Sequence, residues 1–315
     1  MTSLADLAEL VRAPAALSVP GDLVAGAAAA GVLGPRTAGL AGASVLLYWA
    51  GMAANDWADR GLDAEERPER PIPSGRITPA AAAGVAAGLT AAGLGLAAAV
   101  GGRRAAAVAL PLAATIWGYD LAAKNTAAGP AVMAACRGLD VLLGASPGRP
   151  VRALPAALTV AAHTWTVTAL SRREVSGADA ALPRRTLAGT ALVALAATTL
   201  PRRATPTPAP HPRAAEPSPR PLAAEPSPRP LAGMVAAALP VGLAGWYVAQ
   251  YGGAQARVAA EPTAGRVRAA VGAGITGLPS LQGALTARAG AGLVGALVAL
   301  AAPLGGRLAR KLSPT

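Results

Sequence analysis

The 315-residue chain is 53% hydrophobic and only 14% charged, with a formal net charge of +12 and a mean hydropathy of +0.42. A soluble domain usually carries about 25% charged residues, whereas apolar segments of about 18–20 residues, long enough to cross a bilayer core, recur here; the composition excludes an ordinary soluble domain and describes an all-α, polytopic transmembrane bundle. The arginines are scattered among apolar segments without an aromatic–basic platform, which assigns the charge to loops and lipid headgroups rather than nucleic acid, and the single cysteine, Cys136, excludes an intramolecular disulfide or a cysteine-rich metal site.

Residues 2–13 set Leu4, Leu7 and Val11 on one face, the pattern of a short interfacial helix, and lack the basic and apolar regions of a signal peptide. The first span is expected over 15–34 and contains Asp22, either a cavity-lining acid or a hydrated residue near the interface. A second span over 38–56 leads into an acidic stretch. The third starts after Thr78-Pro79, an N-cap with proline at N1, and ends near 101, where Arg103-Arg104 mark a turn. The fourth, 105–119, ends in Tyr119-Asp120, with Lys124 five residues after the tyrosine.

A fifth span over 127–146 holds Arg137 and Asp140 at i,i+3, which suits a structural ion pair or a ligand contact equally. A sixth, 152–170, contains His163, read as a hydrogen-bonded packing residue; a short seventh covers 186–200. Residues 201–230 then carry eleven prolines and the nine-residue sequence A-A-E-P-S-P-R-P-L twice, at 214–222 and 223–231. With no apolar periodicity, this segment is expected to be a disordered or polyproline-II linker. It divides one intramembrane domain, 1–200 plus 231–315, between two of its helices. Apolar stretches at 232–251, 266–284 and 287–305 complete the chain and leave nine or ten spans open.

The chemistry concentrates between Asn55 and Thr78. Asn55, Asp56, Asp59 and Asp63 share a face if the preceding helix continues through them. Bare acids there repel one another at the partially negative end of a helix. A Mg²⁺ ion, which takes hard oxygen ligands and completes its shell with water and phosphate, resolves that conflict. Arg67, Arg70 and Arg76 follow closely as candidate holders of phosphate oxygens. The plainer reading is a solvated acidic loop.

N55-D56-x-x-D59-x-x-x-D63 followed by E69-R70-P71-I72-P73-S74-G75 resembles the first aspartate-rich motif of the UbiA-type intramembrane prenyltransferases, and the segment order matches over most of the chain. The Ala/Gly/Pro/Arg bias of the chain points to GC-rich coding and a bacterial cell membrane, and the resemblance implies nine spans, a cytoplasmic active face and Mg²⁺-dependent transfer of a prenyl chain. Its substrates would be an allylic prenyl diphosphate and an aromatic or other lipophilic acceptor. Asp56, Asp59 and Asp63 would hold the metal and diphosphate, aided by Asn55, Arg67, Arg70 and Tyr119, with Lys124 and Arg137 as charge clamps.

The second aspartate-rich motif of that family is altered here. After the sixth span stand Arg172, Arg173 and Glu174, then Asp179 five residues later. Glu174 is a candidate second metal ligand, or Arg172 and Arg173 contact diphosphate in place of a second metal. This unusual motif is similar to that of an EboC-like branch of the superfamily. Two other classes stay open: a transport-related membrane protein, and a degenerate member that binds prenyl diphosphate without turnover.

Overall fold

The computed structural model describes residues 3–179, 181–199 and 229–301. The linker expectation for 201–228 lies outside them. The helices are α1 (Leu4–Leu10), α2 (Val19–Ala30), α3 (Pro35–Glu66), α4 (Pro79–Gly118), α5 (Gly129–Ala145), α6 (Leu154–Ser171), α7 (Ala181–Thr199), α8 (Arg229–Tyr247), α9 (Gly253–Ala260), α10 (Ala264–Arg288) and α11 (Gly292–Ala301). No strand occurs among the described residues. Helix α8 already starts at Arg229, so the second copy of the repeat runs into a helix rather than ending before it.

Forty residues of α-helix would measure about 60 Å, twice a bilayer core. Helix α4 avoids this by folding at Gly102, whose φ of 67° is left-handed and suited to glycine. Its two arms run back along each other, and Trp117 Nε1 donates to Thr90 Oγ1 across them at 3.1 Å. The turn that Arg103-Arg104 signalled is therefore present.

Packing relies on small residues, as expected where lipid removes the usual hydrophobic drive between helices. Helices α2 and α5 approach so closely that a methyl group at Gly26 would meet the Val141 carbonyl, and one at Gly144 the Leu23 backbone. Helix α10, 25 residues long, runs through the bundle with most of its second half buried. The 266–284 stretch lies within this one helix. Among the described residues four helical segments are long and apolar enough to cross a membrane, Pro35–Glu66, Pro79–Ala123, Pro150–Ser171 and Gly233–Ala260, with shorter apolar helices at Val19–Ala30 and Gly292–Ala301.

The interior contains one feature that spacing did not foretell. Arg137 pairs with Asp22 on α2, Nε to Oδ2 2.7 Å, rather than with its i+3 neighbour Asp140. Asp140 instead accepts from the Ser44 hydroxyl on α3. Gln282 on α10 donates to Asp22 Oδ1 at 2.7 Å and to the Ser18 carbonyl at 2.8 Å, and Arg137 also donates to that carbonyl. This network ties α2, α5 and α10 together in the buried core. His163 is a packing residue whose Nδ1 lies 2.9 Å from the Tyr247 hydroxyl.

Candidate active site

Helix α3 does continue through the acidic stretch to Glu66. It carries Asn55, Asp56, Asp59 and Asp63 along one side at its C-terminal end, where the helix dipole favours cations. Three cations supplied by three other segments meet these acids. Arg70 donates to Asp63 Oδ2 at 2.6 Å and to Asp56 Oδ1 at 3.3 Å. Arg12 reaches Asp56 Oδ1 at 2.5 Å and lies 3.5 Å from Asn55 Oδ1. Lys124 Nζ lies 2.6 Å from Asp59 Oδ1. Arg67, half exposed, stands 3.8 Å from Asp63.

The loop 67–78 places Arg70 by folding back on itself. The Arg70 and Ser74 amides bond to the carbonyls of Arg67 and Arg70, Ile77 N to that of Pro71, and Gly75 takes a φ of 74°. Beneath it, Leu10, Ala53, Ala54, Ile72, Ile77, Ala82 and Ala86 form a small buried cluster. That cluster seats the N-terminal helix on the protein, so α1 is more than an interfacial helix. Arg76 fastens it: its guanidinium lies 2.8 Å from Asp6 and 2.7 Å from Glu9, and donates to the Glu69 carbonyl at 2.7 Å. Arg76 is thus spent on a strap, not turned towards the aspartates. Just after α1 the chain turns through Arg12 with a φ of 45°, the only non-glycine residue of positive φ among those described. That backbone is sustained by the amide's bond to the Glu9 carbonyl and the guanidinium's to Asp56.

Asp120 was named in sequence only as Tyr119's neighbour, and Arg12 was not singled out at all; both touch the aspartate face. Residues 119–123 form a π turn, in which the Lys124 amide bonds to the Tyr119 carbonyl. The turn directs Asp120 to Asn55, whose Nδ2 donates at 3.3 Å, and Lys124 to Asp59. Tyr119 and Asp120, with Tyr48, Gly51, Met52, Ile116, Met133 and Cys136, line a small cavity of about 40 Å³ below the aspartate face.

The other expected residues fall elsewhere. Arg137 is committed to Asp22 and Ser18 and lies over the Tyr48 ring, 5.7 Å from its centroid, so its partners are not the three aspartates. Arg172 reaches the 124–129 loop by donating to the Thr126 carbonyl. Glu174 is tied through its main-chain carbonyl to Arg268 at 2.8 Å; burial raises its carboxyl above the ordinary range, against the pull of Arg268. Asp179 caps α7, accepting from the amides of Ala181 and Leu182 at 3.0 and 2.8 Å. Arg173 approaches Asp179 as one of the charges that lower its carboxyl, after the hydrogen bond from the Leu182 amide.

Among the described residues no three acids, histidines or cysteines stand together as a group that could hold a metal ion. The rim's carboxylate and carboxamide oxygens are hard donors of the kind a divalent cation takes, and their present partners are cations.

Residues 17–201 match the family model described as the UbiA prenyltransferase family. The chain belongs to that family. Two curated relatives are digeranylgeranylglyceryl phosphate synthases. That of Methanothrix thermoacetophila is 58% identical over 38 residues, 12% of this chain and 14% of its own length. That of Methanopyrus kandleri is 37% identical over 106 residues, 33% and 39% respectively. The chain thus spans well under half the length of the curated relatives it matches. Over most of its length it superposes on a solved chain from work on digeranylgeranylglyceryl phosphate synthase in membranes, with a TM-score of 0.63, 16% identity and coverage of 92% of this chain and 99% of that one. A second superposition is with the apo structure of a UbiA homolog from Aeropyrum pernix K1, with a TM-score of 0.56, 19% identity and coverage of 90% and 98%. These establish a UbiA-like fold and, with the apolar helices, an integral membrane protein.

Proposed function

We propose that this chain is an intramembrane prenyltransferase that moves a prenyl group from an allylic diphosphate to a lipophilic acceptor. The observation that carries the reading is the aspartate face of α3 with Arg12, Arg70 and Lys124 poised on it at 2.5–2.6 Å. Acids and cations alternate there as a diphosphate requires. Asp56, Asp59 and Asp63 would hold Mg²⁺, which supplies charge neutralisation for the leaving group. Arg12, Arg70 and Lys124 turn from the acids to phosphate oxygens, with Arg67 at the exposed edge. Asn55, held by Asp120, orients the polar rim. Tyr119 and the apolar walls of the cavity keep water from the reacting carbon.

In the transfer, the C1–O bond of the prenyl diphosphate breaks and diphosphate leaves with the electron pair. The acceptor nucleophile bonds to C1 and gives up its proton. The curated relatives' names favour a glyceryl phosphate lipid as acceptor over an aromatic one.

A second reading is favoured by the altered motif after α6. Asp179 caps a helix and Glu174 is tethered near Arg268, which suits a member that binds prenyl diphosphate without turning it over. Purified protein in lipid, given labelled geranylgeranyl diphosphate and either a glyceryl phosphate ether lipid or a prenylatable phenol across a Mg²⁺ titration, separates the two. Metal-dependent diphosphate release with a prenylated product supports transfer. Tight binding of the diphosphate with neither product nor release overturns it.

A further inference from the structure

The two ends of the bundle differ in charge. Every described Asp and Glu lies at the aspartate end or, as Asp22 and Asp140, in the interior. At the opposite end lie the turns at 31–34, 102 and 146–153, the first and last of which meet where Gly148 packs on Ala30 and Val32. It exposes Arg36, Arg103, Arg104, Arg149 and Arg152, with no carboxylate among its described residues.

A groove of about 520 Å³ opens at this end. Arg104, Ala107 and Val108, one face of the second arm of α4, form one wall; Arg149, Pro150 and Val151 form the other. From Val151 the exposed apolar surface continues along α6 through Leu154 and Leu158, in steps of three and four residues. The groove therefore has a cationic mouth and an apolar floor leading towards the bilayer.

We propose that this groove binds an anionic phospholipid, with the phosphate between Arg104 and Arg149 and an acyl chain along Leu154 and Leu158. Guanidinium pairs suit phosphate oxygens, and basic clefts beside transmembrane helices recognise anionic headgroups. With no carboxylate among the described residues of this end to meet a choline cation, a zwitterionic headgroup gains less. A free phosphate would leave the apolar floor unused. The site stands at the far end from the aspartates and is independent of the transfer chemistry.

Native mass spectrometry of the detergent-purified protein, titrated with phosphatidylglycerol or phosphatidylcholine, tests the idea. We expect roughly tenfold or more preference for phosphatidylglycerol, lost in the Arg104→Gln/Arg149→Gln double variant and kept in Arg103→Gln. The lipid-free melting point should stay unchanged in both, because all three side chains are exposed. Equal retention of the two lipids, a preference that survives the double variant, or full competition by inorganic phosphate at the lipid's concentration would each overturn it.

Discussion

The acid–arginine pairs at the rim of this bundle and in its interior cannot be told apart by bond length. At the rim, Arg70 meets Asp63 at 2.6 Å; in the interior, Arg137 meets Asp22 at 2.7 Å. They differ in access. The rim cations Arg12 and Arg70 keep 38% and 19% of their side chains exposed against 9% for Arg137, whose partner Asp22 is held further by Gln282. A rim cation can exchange a carboxylate for water or phosphate at little cost, so its pairs suit binding. An interior pair has nowhere to go, because separating it strands a charge. The same residue types thus serve a site in one place and the fold in the other.

The strongest way to break this contrast is Asp22→Ala. It leaves the Arg137 guanidinium buried without its counter-charge and should lower stability by about 3–5 kcal/mol, read from denaturation in mixed micelles. Diphosphate binding per folded molecule should persist. If stability holds and binding falls, the interior pair belongs to the site after all. Next is Asp59→Asn, which releases Lys124 and should cost about 100-fold in turnover with melting within about 1 kcal/mol of the parent. Near-normal turnover with a lowered melting point would place the rim acids in the same class as Asp22.

A smaller effect is expected of Arg76→Ala. Loosening α1 should let Arg12 leave Asp56 and raise KM for the prenyl diphosphate roughly fivefold with kcat little changed, and Arg76→Lys should recover part of that. A fall in kcat alone would show that the strap does not act through substrate binding. The smallest effect concerns pH. Hydrogen bonds from the Ser3 amide and hydroxyl, then Arg76, hold Asp6 at about 2 against an ordinary 3.8. A depressed acid contributes fully above its unfolded pKa and loses that contribution as pH falls through the folded one. Proteolytic protection of α1 should therefore be constant down to about pH 4 and fade towards pH 2; release near pH 6 would show that another group governs the strap.

Local pattern made the aspartate face legible, because α3 continues unbroken and 3.6-residue periodicity places 55, 56, 59 and 63 together. It also located the turn at 102–104 and the packing role of His163. What it could not supply was long-range pairing. The i,i+3 spacing of Arg137 and Asp140 pointed to a local pair, yet the partner came from α2. Arg12 reaches Asp56 across 44 residues, and nothing in either neighbourhood encodes that meeting. The clue available for Asp179 was its place just before an apolar run, which marks an N-cap as readily as a metal ligand.

The π turn at 119–123 carries a genetic consequence. A turn closed from residue i to i+5 holds one residue more than an α turn, so this one is equivalent to a single-codon insertion in an otherwise regular helix. Wound as a regular α turn, the same residues would bring Ala123 to the place Lys124 now holds and swing Lys124 about 100° away from Asp59. Asp120 would keep its place beside Asn55. One inserted codon thus separates a helix that merely packs from one that delivers a cation to the rim.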